Sequence, residues 1–318
     1  MQKTQFRYYL GIATAVFSGI LLAVFVVEGV SRSYNFLAQH VDFPWNSEMG
    51  AEGSGIYEYE DGSLFSHYSK LDESIDFPEI TASAYLVGDL DTGEVIESQA
   101  AGEIYPIASI SKLMTALVSV ETIDQYSQVS VPKLAVETLG EQGSLRSGEI
   151  LSASDLLHAL LLESSNDAAE ALAAFAGRAD FIKNMNNRAE SLGLSGTSFS
   201  DPSGLSSGNK STAYDLFKLF QYLRENSPEI VKITDKKSYK SKKHTWYNNN
   251  KFINDRLYAG GKNGYTSEAK HTLLTTFELP LSDSSYRNIA IVLLQADKTE
   301  KDTRDILFYL LRNISYHE

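Results

Sequence analysis

Residues 106–116 read PIASISKLMTA and join a turn signal to the first turns of an apolar helix. Pro106 precedes Ser109, and apolar side chains recur at helical spacing from Leu113 onward. If Ser109 begins this helix, Lys112 lies one turn later on the same face, and its amine can reach the Ser109 hydroxyl. A serine hydroxyl is a weak nucleophile unless a base takes its proton, which a neutral lysine amine can do. The stretch therefore predicts a nucleophile, Ser109, with Lys112 as its base.

The S-x-x-K spacing by itself is a weak signal, because the chain contains three further pairs. They are Ser130–Lys133, Ser207–Lys210 and Ser267–Lys270. A proline interrupts the first pair, a Gly- and Ser-rich loop contains the second, and the third lies between two predicted strands. Ser109 differs from the others because it begins an apolar helix.

Ser164-Ser165-Asn166 lies at the junction of two predicted helices. A hydroxyl and an amide two residues apart in such a loop can both face a cleft, where Ser164 would relay a proton and Asn166 would hold a substrate amide. Asn166 also precedes an acidic first turn and fits a helix N-cap, and the two interpretations are compatible. The same S-x-N spacing recurs at Ser33–Asn35 and Ser207–Asn209.

Lys262-Asn263-Gly264 follows two glycines on a predicted strand. Glycines in a strand often mark the close approach of a ligand or of another backbone. Lys262 would bind a substrate carboxylate there, and its charge would help to keep Lys112 neutral. The alternative is a Gly-rich strand edge that carries a solvated lysine.

The order of predicted elements indicates an α+β fold. We expect a hairpin at 82–98, strands at 238–246, 258–265, 271–279 and 288–295, and helices from Ser109 and at 154–162, 167–175, 181–192, 213–224 and 303–312. This order predicts an antiparallel sheet that joins both ends of the chain. The Lys-rich segment Lys236–Lys243 is expected to be a solvated hairpin, with attraction of an anionic polymer as the alternative.

The N-terminal region differs from the rest of the chain. Tyr8 to Val27 carries no charge over twenty residues and is long enough to cross a bilayer as a helix. Lys3 and Arg7 precede it, which places the N-terminus in the cytoplasm. We expect a single-pass cell-membrane anchor at 1–30, a stalk at 31–80 and an extracytoplasmic catalytic domain at 81–318. A cleaved signal peptide is the alternative and would also export the domain.

The composition excludes several classes of site. The net charge of −13 argues against nucleic acid as a partner, because phosphate binding needs clustered Lys and Arg. The chain has no cysteine, which excludes thiol catalysis, disulfides and thiolate metal sites. Its six histidines are scattered, and no two have helical ligand spacing. We expect neither a metal nor a cofactor.

Together the three motifs resemble those of the low-molecular-mass penicillin-binding proteins, the serine D-Ala-D-Ala carboxypeptidases, in which S-x-x-K, S-x-N and K-x-G occur in this order. The resemblance spans roughly Ser83 to Asn313 and extends outside the motifs to DLDTGEV at 89–95, SNDAA at 165–169, DPSGL at 201–205 and GYT at 264–266. It implies a β-lactamase/transpeptidase-like fold, an antiparallel sheet flanked by helices with a mostly helical lobe.

The resemblance also implies a function and a set of site residues. The catalytic residues that it implies are Ser109, Lys112, Ser164 and Asn166. The substrate-binding residues that it implies are Lys262, Asn263, Gly264 and Tyr265. Ser109 would form an acyl-enzyme with peptidoglycan stem peptides and release their terminal D-alanine. Lys262 would bind the terminal carboxylate, and the backbone N–H groups of Ser109 and Tyr265 would form an oxyanion hole. β-Lactams would acylate Ser109 as substrate mimics.

One departure from the family pattern keeps alternatives open. Asn263 stands where the family usually has the threonine of K-T-G, although an amide can also donate a hydrogen bond to a carboxylate. The alternatives within the fold are a D,D-endopeptidase and a class A β-lactamase, although no E-x-x-L-N run follows Asn166. The alternative without catalysis is a cell-wall-binding module whose site has decayed.

Overall fold

The computed structural model describes residues 67–137, 143–281 and 286–317. The predicted anchor at 1–30 and residues 31–66 of the predicted stalk lie outside these ranges. Within the described ranges, no helix is both long enough and apolar enough to cross a bilayer. The anchor therefore stays a prediction.

A five-stranded antiparallel sheet lies at the centre of the fold. In spatial order its strands are β10 (Tyr258–Thr266), β11 (Lys270–Leu279), β12 (Arg287–Ala296), β2 (Ala84–Asp89) and β3 (Val95–Gln99). Strands β2 and β3 precede the helices in sequence, and β10 to β12 follow most of them. The pairing of β2 with β12 thus confirms the predicted sheet that joins both ends of the chain.

The described residues form eight α-helices. They are α1 (Lys112–Thr122), α2 (Lys133–Val136), α3 (Ala153–Leu162), α4 (Asn166–Phe175), α5 (Arg178–Ser191), α6 (Ala213–Asn226), α7 (Pro228–Thr234) and α8 (Thr299–Asn313). Successive residues of a strand point to opposite faces of the sheet. Leu86 and Val292 therefore join a core with α1 to α7, whereas Val87 and Ile291 join a second core with α8. This arrangement is the predicted sheet flanked by helices with a mostly helical lobe.

Four short strand pairs complete the described fold. They are β1 (Tyr68–Lys70) with β13 (Ile314–Tyr316), β4 (Tyr105–Pro106) with β7 (Lys210–Ser211), β5 (Gln128–Ser130) with β6 (Ile150–Ser152), and β8 (Ser238–Lys240) with β9 (Thr245–Tyr247). The β8–β9 pair confirms a hairpin in the Lys-rich segment, so the stretch expected as a strand at 238–246 is two short strands joined by a turn. Strand β1 lies inside the predicted stalk, and the Tyr68 hydroxyl donates to Asp89 over 2.7 Å. The folded part therefore begins before residue 81.

Side-chain caps determine where three of the helices begin. Ser152, Ser165 and Thr212 each accept a hydrogen bond from the backbone N–H three residues later, over 3.0, 3.1 and 2.9 Å. Such a cap satisfies one of the backbone donors that the first turn of a helix leaves without a partner. The cap at Ser165 positions the loop that contains Ser164 and Asn166.

Besides shifts of a few residues at helix ends, three helical segments differ from the prediction. The short helix α2 was not predicted. The helix expected from Ser109 begins as a 3₁₀ turn, Ala108–Ser111, and becomes α-helical at Lys112. Helix α7 was not predicted, because a proline such as Pro228 usually ends a helical pattern. Pro228 is instead the first residue of α7, where a proline is tolerated because its missing N–H would have no helical partner.

Candidate active site

Ser109 and Lys112 meet at the start of α1, as the spacing predicts. The Lys112 Nζ lies 2.9 Å from the Ser109 Oγ. Ala108 adopts a positive φ of 47°, which is strained for a residue other than glycine. Gly204 packs against this turn so closely that a Cβ on it would lie 2.0 Å from the Ala108 carbonyl oxygen. This contact with the 201–204 loop holds the turn that presents Ser109.

The amine of Lys112 is completely buried and has two further partners. It donates to the Asn166 Oδ1 over 2.8 Å and to the Ser203 carbonyl oxygen by a short hydrogen bond. A neutral amine has two N–H donors and one lone pair. The two carbonyl-type oxygens match the donors, and the hydroxyl of Ser109 can donate to the lone pair. The geometry therefore fits a neutral amine that can accept the Ser109 proton.

Burial lowers the pKa of Lys112 well below its ordinary value, and the nearby charge of Lys262 lowers it further. The carboxylates of Asp201 and Glu170 act in the opposite direction but do not reverse the shift. Removing a charge from water is costly, so the amine favours its neutral form. This is the protonation state that a general base requires.

The other S-x-x-K pairs place their lysines at the surface. Lys133 and Lys270 form exposed ion pairs with Glu137 and Asp297, over 3.3 and 3.2 Å. Lys210 is exposed as well. Burial, which the four-residue pattern does not encode, thus separates Lys112 from the other three lysines.

Ser164 and Asn166 lie on opposite sides of the residue that caps α4. Ser165 is the N-cap, so the predicted cap at Asn166 is wrong by one position. Asn166 is instead the first residue of α4, and its side chain reaches Lys112. Ser164 has a φ of 63°, and among the described residues its buried Oγ has no hydrogen-bond partner. A strained residue with an unpaired hydroxyl beside a cleft is available to a ligand.

Lys262 lies on β10, an outer strand of the sheet. Its side chain is 1% exposed, and the Nζ donates to the Asn263 carbonyl oxygen over 2.7 Å. Burial lowers the pKa of Lys262 to about 7. Near neutral pH this lysine is therefore poised between its charged and neutral forms, and a nearby anion would favour the charged form.

Gly264 brings β10 against the nucleophile. A Cβ on Gly264 would lie 2.7 Å from the backbone nitrogen of Ser109, closer than a side chain tolerates. The strand can therefore approach Ser109 only with glycine at this position. Tyr265 follows, and its exposed ring lies 4.7 Å from that of His271 between centroids.

A cavity of about 950 Å³ lies at this site, and the buried side chains of Lys112 and Lys262 are not part of its lining. Six of the predicted site residues line it: Ser109, Ser164, Asn166, Asn263, Gly264 and Tyr265. The cavity continues along Lys251 and Phe252 to Arg304 on α8. The described residues contain no cluster of three or more His, Cys, Asp or Glu side chains that could hold a metal ion.

Sequence reasoning gave no role to the 201–204 loop, which supplies a backbone acceptor to Lys112. Asp201 organises this loop, because its Oδ1 accepts from the Ser203 N–H, the Ser203 hydroxyl and the Gly204 N–H, each over 2.7 Å. An Asp whose side chain bonds the backbone two residues on is a turn signal. The segment DPSGL carries that signal, and the signal predicts the turn but not its contact with Lys112.

Comparison with known proteins gives consistent matches. A family model described as peptidase S11, D-alanyl-D-alanine carboxypeptidase, matches residues 72–297. A D-alanyl-D-alanine endopeptidase of Haemophilus influenzae is 36% identical over 203 residues, which are 61% of this chain and 69% of that protein. The D-alanyl-D-alanine carboxypeptidase DacF of Bacillus subtilis is 31% identical over 238 residues, 70% of this chain and 59% of that protein.

Solved structures show the same fold. A D-alanyl-D-alanine carboxypeptidase from Mycobacterium tuberculosis superposes with a TM-score of 0.68 at 28% identity, covering 75% of this chain and 93% of that one. Penicillin-binding protein D2 from Listeria monocytogenes, in its cefotaxime-bound form, superposes with a TM-score of 0.64 at 29% identity. The match covers 74% of this chain and 99% of that one.

Proposed function

Because this chain belongs to the D-alanyl-D-alanine carboxypeptidase family, we propose that it removes the terminal D-alanine from peptidoglycan stem peptides through an acyl-enzyme on Ser109. One observation carries the assignment of the nucleophile. The buried, pKa-lowered amine of Lys112 lies 2.9 Å from the Ser109 Oγ. A base in its neutral form within hydrogen-bonding distance of a hydroxyl is the arrangement that activates a serine.

In the acylation step, the Ser109 Oγ attacks the carbonyl carbon of the penultimate D-alanine while its proton moves to the Lys112 Nζ. The new C–O bond gives a tetrahedral intermediate, which collapses as the C–N bond to the terminal D-alanine breaks. The leaving amine takes the proton that Lys112 received, and the Ser164 hydroxyl, which lines the cavity and has no hydrogen-bond partner among the described residues, would relay it. Water then releases the shortened peptide in the same sequence of steps.

The developing oxyanion would be stabilised by the backbone N–H groups of Ser109 and Tyr265. The close approach of Gly264 to the Ser109 nitrogen supports this role, because it brings the two backbone segments together. Preorganised N–H donors of this kind commonly contribute a hundredfold or more to the rate, as an order of magnitude.

Lys262 would bind the terminal carboxylate of the substrate, with Asn263 as an additional donor. The anion would stabilise the charged form of Lys262, whose pKa of about 7 leaves it partly neutral in the free protein. The charge on Lys262 would in turn keep Lys112 neutral. Substrate binding and activation of the nucleophile would thereby be coupled through the charge of Lys262.

The chain would act outside the cytoplasm, held to the cell membrane by its N-terminal segment. The uncharged run from Tyr8 to Val27, preceded by Lys3 and Arg7, supports a single-pass anchor. Peptidoglycan lies on that side of the membrane, and β-lactams would reach Ser109 there as acylating inhibitors.

Endopeptidase activity on cross-linked stem peptides is the second candidate, and two observations favour it. Relatives at 33 to 36% identity are named D-alanyl-D-alanine endopeptidases. The cavity is also lined by Lys251, Phe252 and Arg304, so it extends beyond the residues assigned to the terminal D-alanine. Release of free D-alanine from a pentapeptide, compared with cleavage of a cross-linked dimer, distinguishes the two activities.

Covalent labelling tests the assignment of Ser109. The purified full chain should be labelled by a fluorescent penicillin, and Ser109→Ala should abolish the label. Ser130→Ala is the matched control, because Ser130 begins one of the exposed S-x-x-K pairs. A label that persists in Ser109→Ala would remove Ser109 from its role, and an unlabelled native chain would contradict the proposed enzyme.

A further inference from the structure

Four aromatic rings form a stack between the β8–β9 hairpin and α3. In order along the stack they are His158, Tyr239, Trp246 and His244, with centroid separations of 3.6, 6.2 and 5.2 Å and interplanar angles of 17° or less. Tyr239 and Trp246 are partners in the strand register. The stack therefore joins the hairpin to the helix whose last turn leads into Ser164.

Trp246 is the member of this stack that reaches toward the active site. It is 1% exposed, and its Nε1 donates to the Gly143 carbonyl oxygen over 2.9 Å. Gly143 has a φ of 92°, and a Cβ on it would lie 2.6 Å from the Ser165 Oγ. Gly143 is thus held between the indole of Trp246 and the side chain of Ser165.

Ser165 links this contact to the catalytic groups. Its Oγ caps α4, and the next residue, Asn166, accepts a hydrogen bond from Lys112. The preceding residue, Ser164, is held at a positive φ that its own side chain does not favour. A strained conformation persists only when surrounding contacts determine it. The position of the Ser164–Asn166 loop therefore depends on what packs behind it.

The same hairpin also holds the other end of this loop. The Tyr247 N–H donates to the Glu163 carboxylate over 3.1 Å, and the Asn249 N–H donates to the Leu162 carbonyl oxygen over 3.1 Å. The Asn249 side chain donates to the Glu163 carbonyl oxygen over 3.3 Å. Tyr247 and Asn249 thus contact the segment before Ser164 directly. Trp246 reaches the segment after it only through Gly143.

We propose that Trp246 is a positioning residue that holds the Ser164–Asn166 loop, through Gly143, at the distance from Lys112 and Ser109 that acylation requires. This inference rests on the proposed function. Trp246 touches neither Ser109 nor Lys112, so its effect passes through Gly143 and Ser165. A small displacement of catalytic groups lowers the rate of the chemical step even where binding persists.

Acylation kinetics with a fluorescent penicillin test the role of Trp246. Trp246→Phe keeps an aromatic ring in the stack and removes the donor to Gly143. We expect the first-order acylation rate constant to fall about tenfold while the dissociation constant of the initial complex changes less than about twofold. A purely structural role would lower the melting temperature but would not lower the acylation rate constant selectively over the dissociation constant.

Tyr239→Phe is the matched control. It removes a hydroxyl that donates to Asp155 over 3.0 Å in the same ring stack, without touching Gly143. We expect a similar change in melting temperature and an acylation rate within about twofold of the native chain. If Tyr239→Phe slows acylation as much as Trp246→Phe does, the effect belongs to the whole hairpin and the proposal is overturned.

Gly143→Ala provides a second approach if Trp246→Phe does not fold. The added methyl group would press on the Ser165 Oγ and strain a backbone with a φ of 92°, while the Trp246 side chain is unchanged. The acylation rate constant should therefore fall while the dissociation constant of the initial complex changes little. Native rates in either variant would overturn the proposal while leaving the proposed function intact. An unlabelled native chain would instead overturn the proposed function, and this inference with it.

Discussion

The surroundings of Lys112 and of Lys262 differ although both amines are buried. Lys112 lies in the helical lobe with partners from three separate segments, at Ser109, Asn166 and Ser203. Lys262 lies on an outer strand, and its recorded acceptor is the carbonyl oxygen of the next residue. The first amine is surrounded by groups that suit a neutral base, and the second retains donors for an incoming anion. Burial alone therefore does not define a lysine's role, and the number and kind of its acceptors do.

The largest expected effect comes from removing the base. Lys112→Met should lower the rate of acylation by about a thousandfold or more, because Ser109 then has no neighbour to take its proton. Stopped-flow labelling with a fluorescent penicillin measures this rate. Lys133→Met, in the exposed S-x-x-K pair, is the matched control and should retain the native rate. Acylation within tenfold of native in Lys112→Met would mean that another group is the base.

A smaller effect is expected at the second lysine. Lys262→Met should lower kcat/KM for a D-Ala-D-Ala peptide by about ten- to a hundredfold, because the substrate carboxylate loses its charged partner. Lys270→Met, on the neighbouring strand and exposed, should have little effect. A Lys262→Met variant that retained native kcat/KM would remove Lys262 from carboxylate binding.

The pH profile distinguishes the two lysines further. In the native chain kcat/KM should rise as Lys112 loses its proton and fall as Lys262 loses its proton near pH 7. Lys262 lowers the pKa of Lys112, so Lys262→Met should raise that pKa and move the acid limb to higher pH. The alkaline limb near pH 7 should disappear in the same variant. An unchanged profile would contradict the coupling of the two amines.

The smallest effect is expected beside Lys262. Asn263→Thr should hold the turnover of a D-Ala-D-Ala peptide or raise it, by up to about threefold, because a hydroxyl and an amide both donate to a carboxylate. Asn263→Ala removes the donor and should reduce turnover more than Asn263→Thr changes it. A large loss in Asn263→Thr would instead show that the site has adapted to asparagine.

Local patterns predicted most of the fold. The hairpin at 82–98 and the late strands follow from alternating or apolar runs between turn residues, and the helices follow from their 3.6-residue spacing and cap residues. The position of the cap before α4 was predicted one residue late, because Ser165 and Asn166 are both good caps and their local sequence does not separate them.

The candidate site was predicted only where its chemistry is carried by side chains in short motifs. The Ser203 carbonyl oxygen lies 91 residues along the chain from Lys112, and the Gly143 carbonyl oxygen lies 103 residues from Trp246. Every residue has a backbone carbonyl, so no residue type marks one that serves as an acceptor. These contacts therefore had no signal in the sequence beyond the turn chemistry of Asp201.

The sequence by itself determined that Ser109 and Lys112 share a helical face, because that relation spans a single turn. The sequence also places a glycine at position 264, and the absence of a side chain there allows β10 to lie beside Ser109. Only the tertiary structure decided that Lys112 and Lys262 are both buried, since burial is the sum of contacts from segments far apart in the chain. Their lowered pKa values, on which the proposed chemistry depends, are a consequence of that burial.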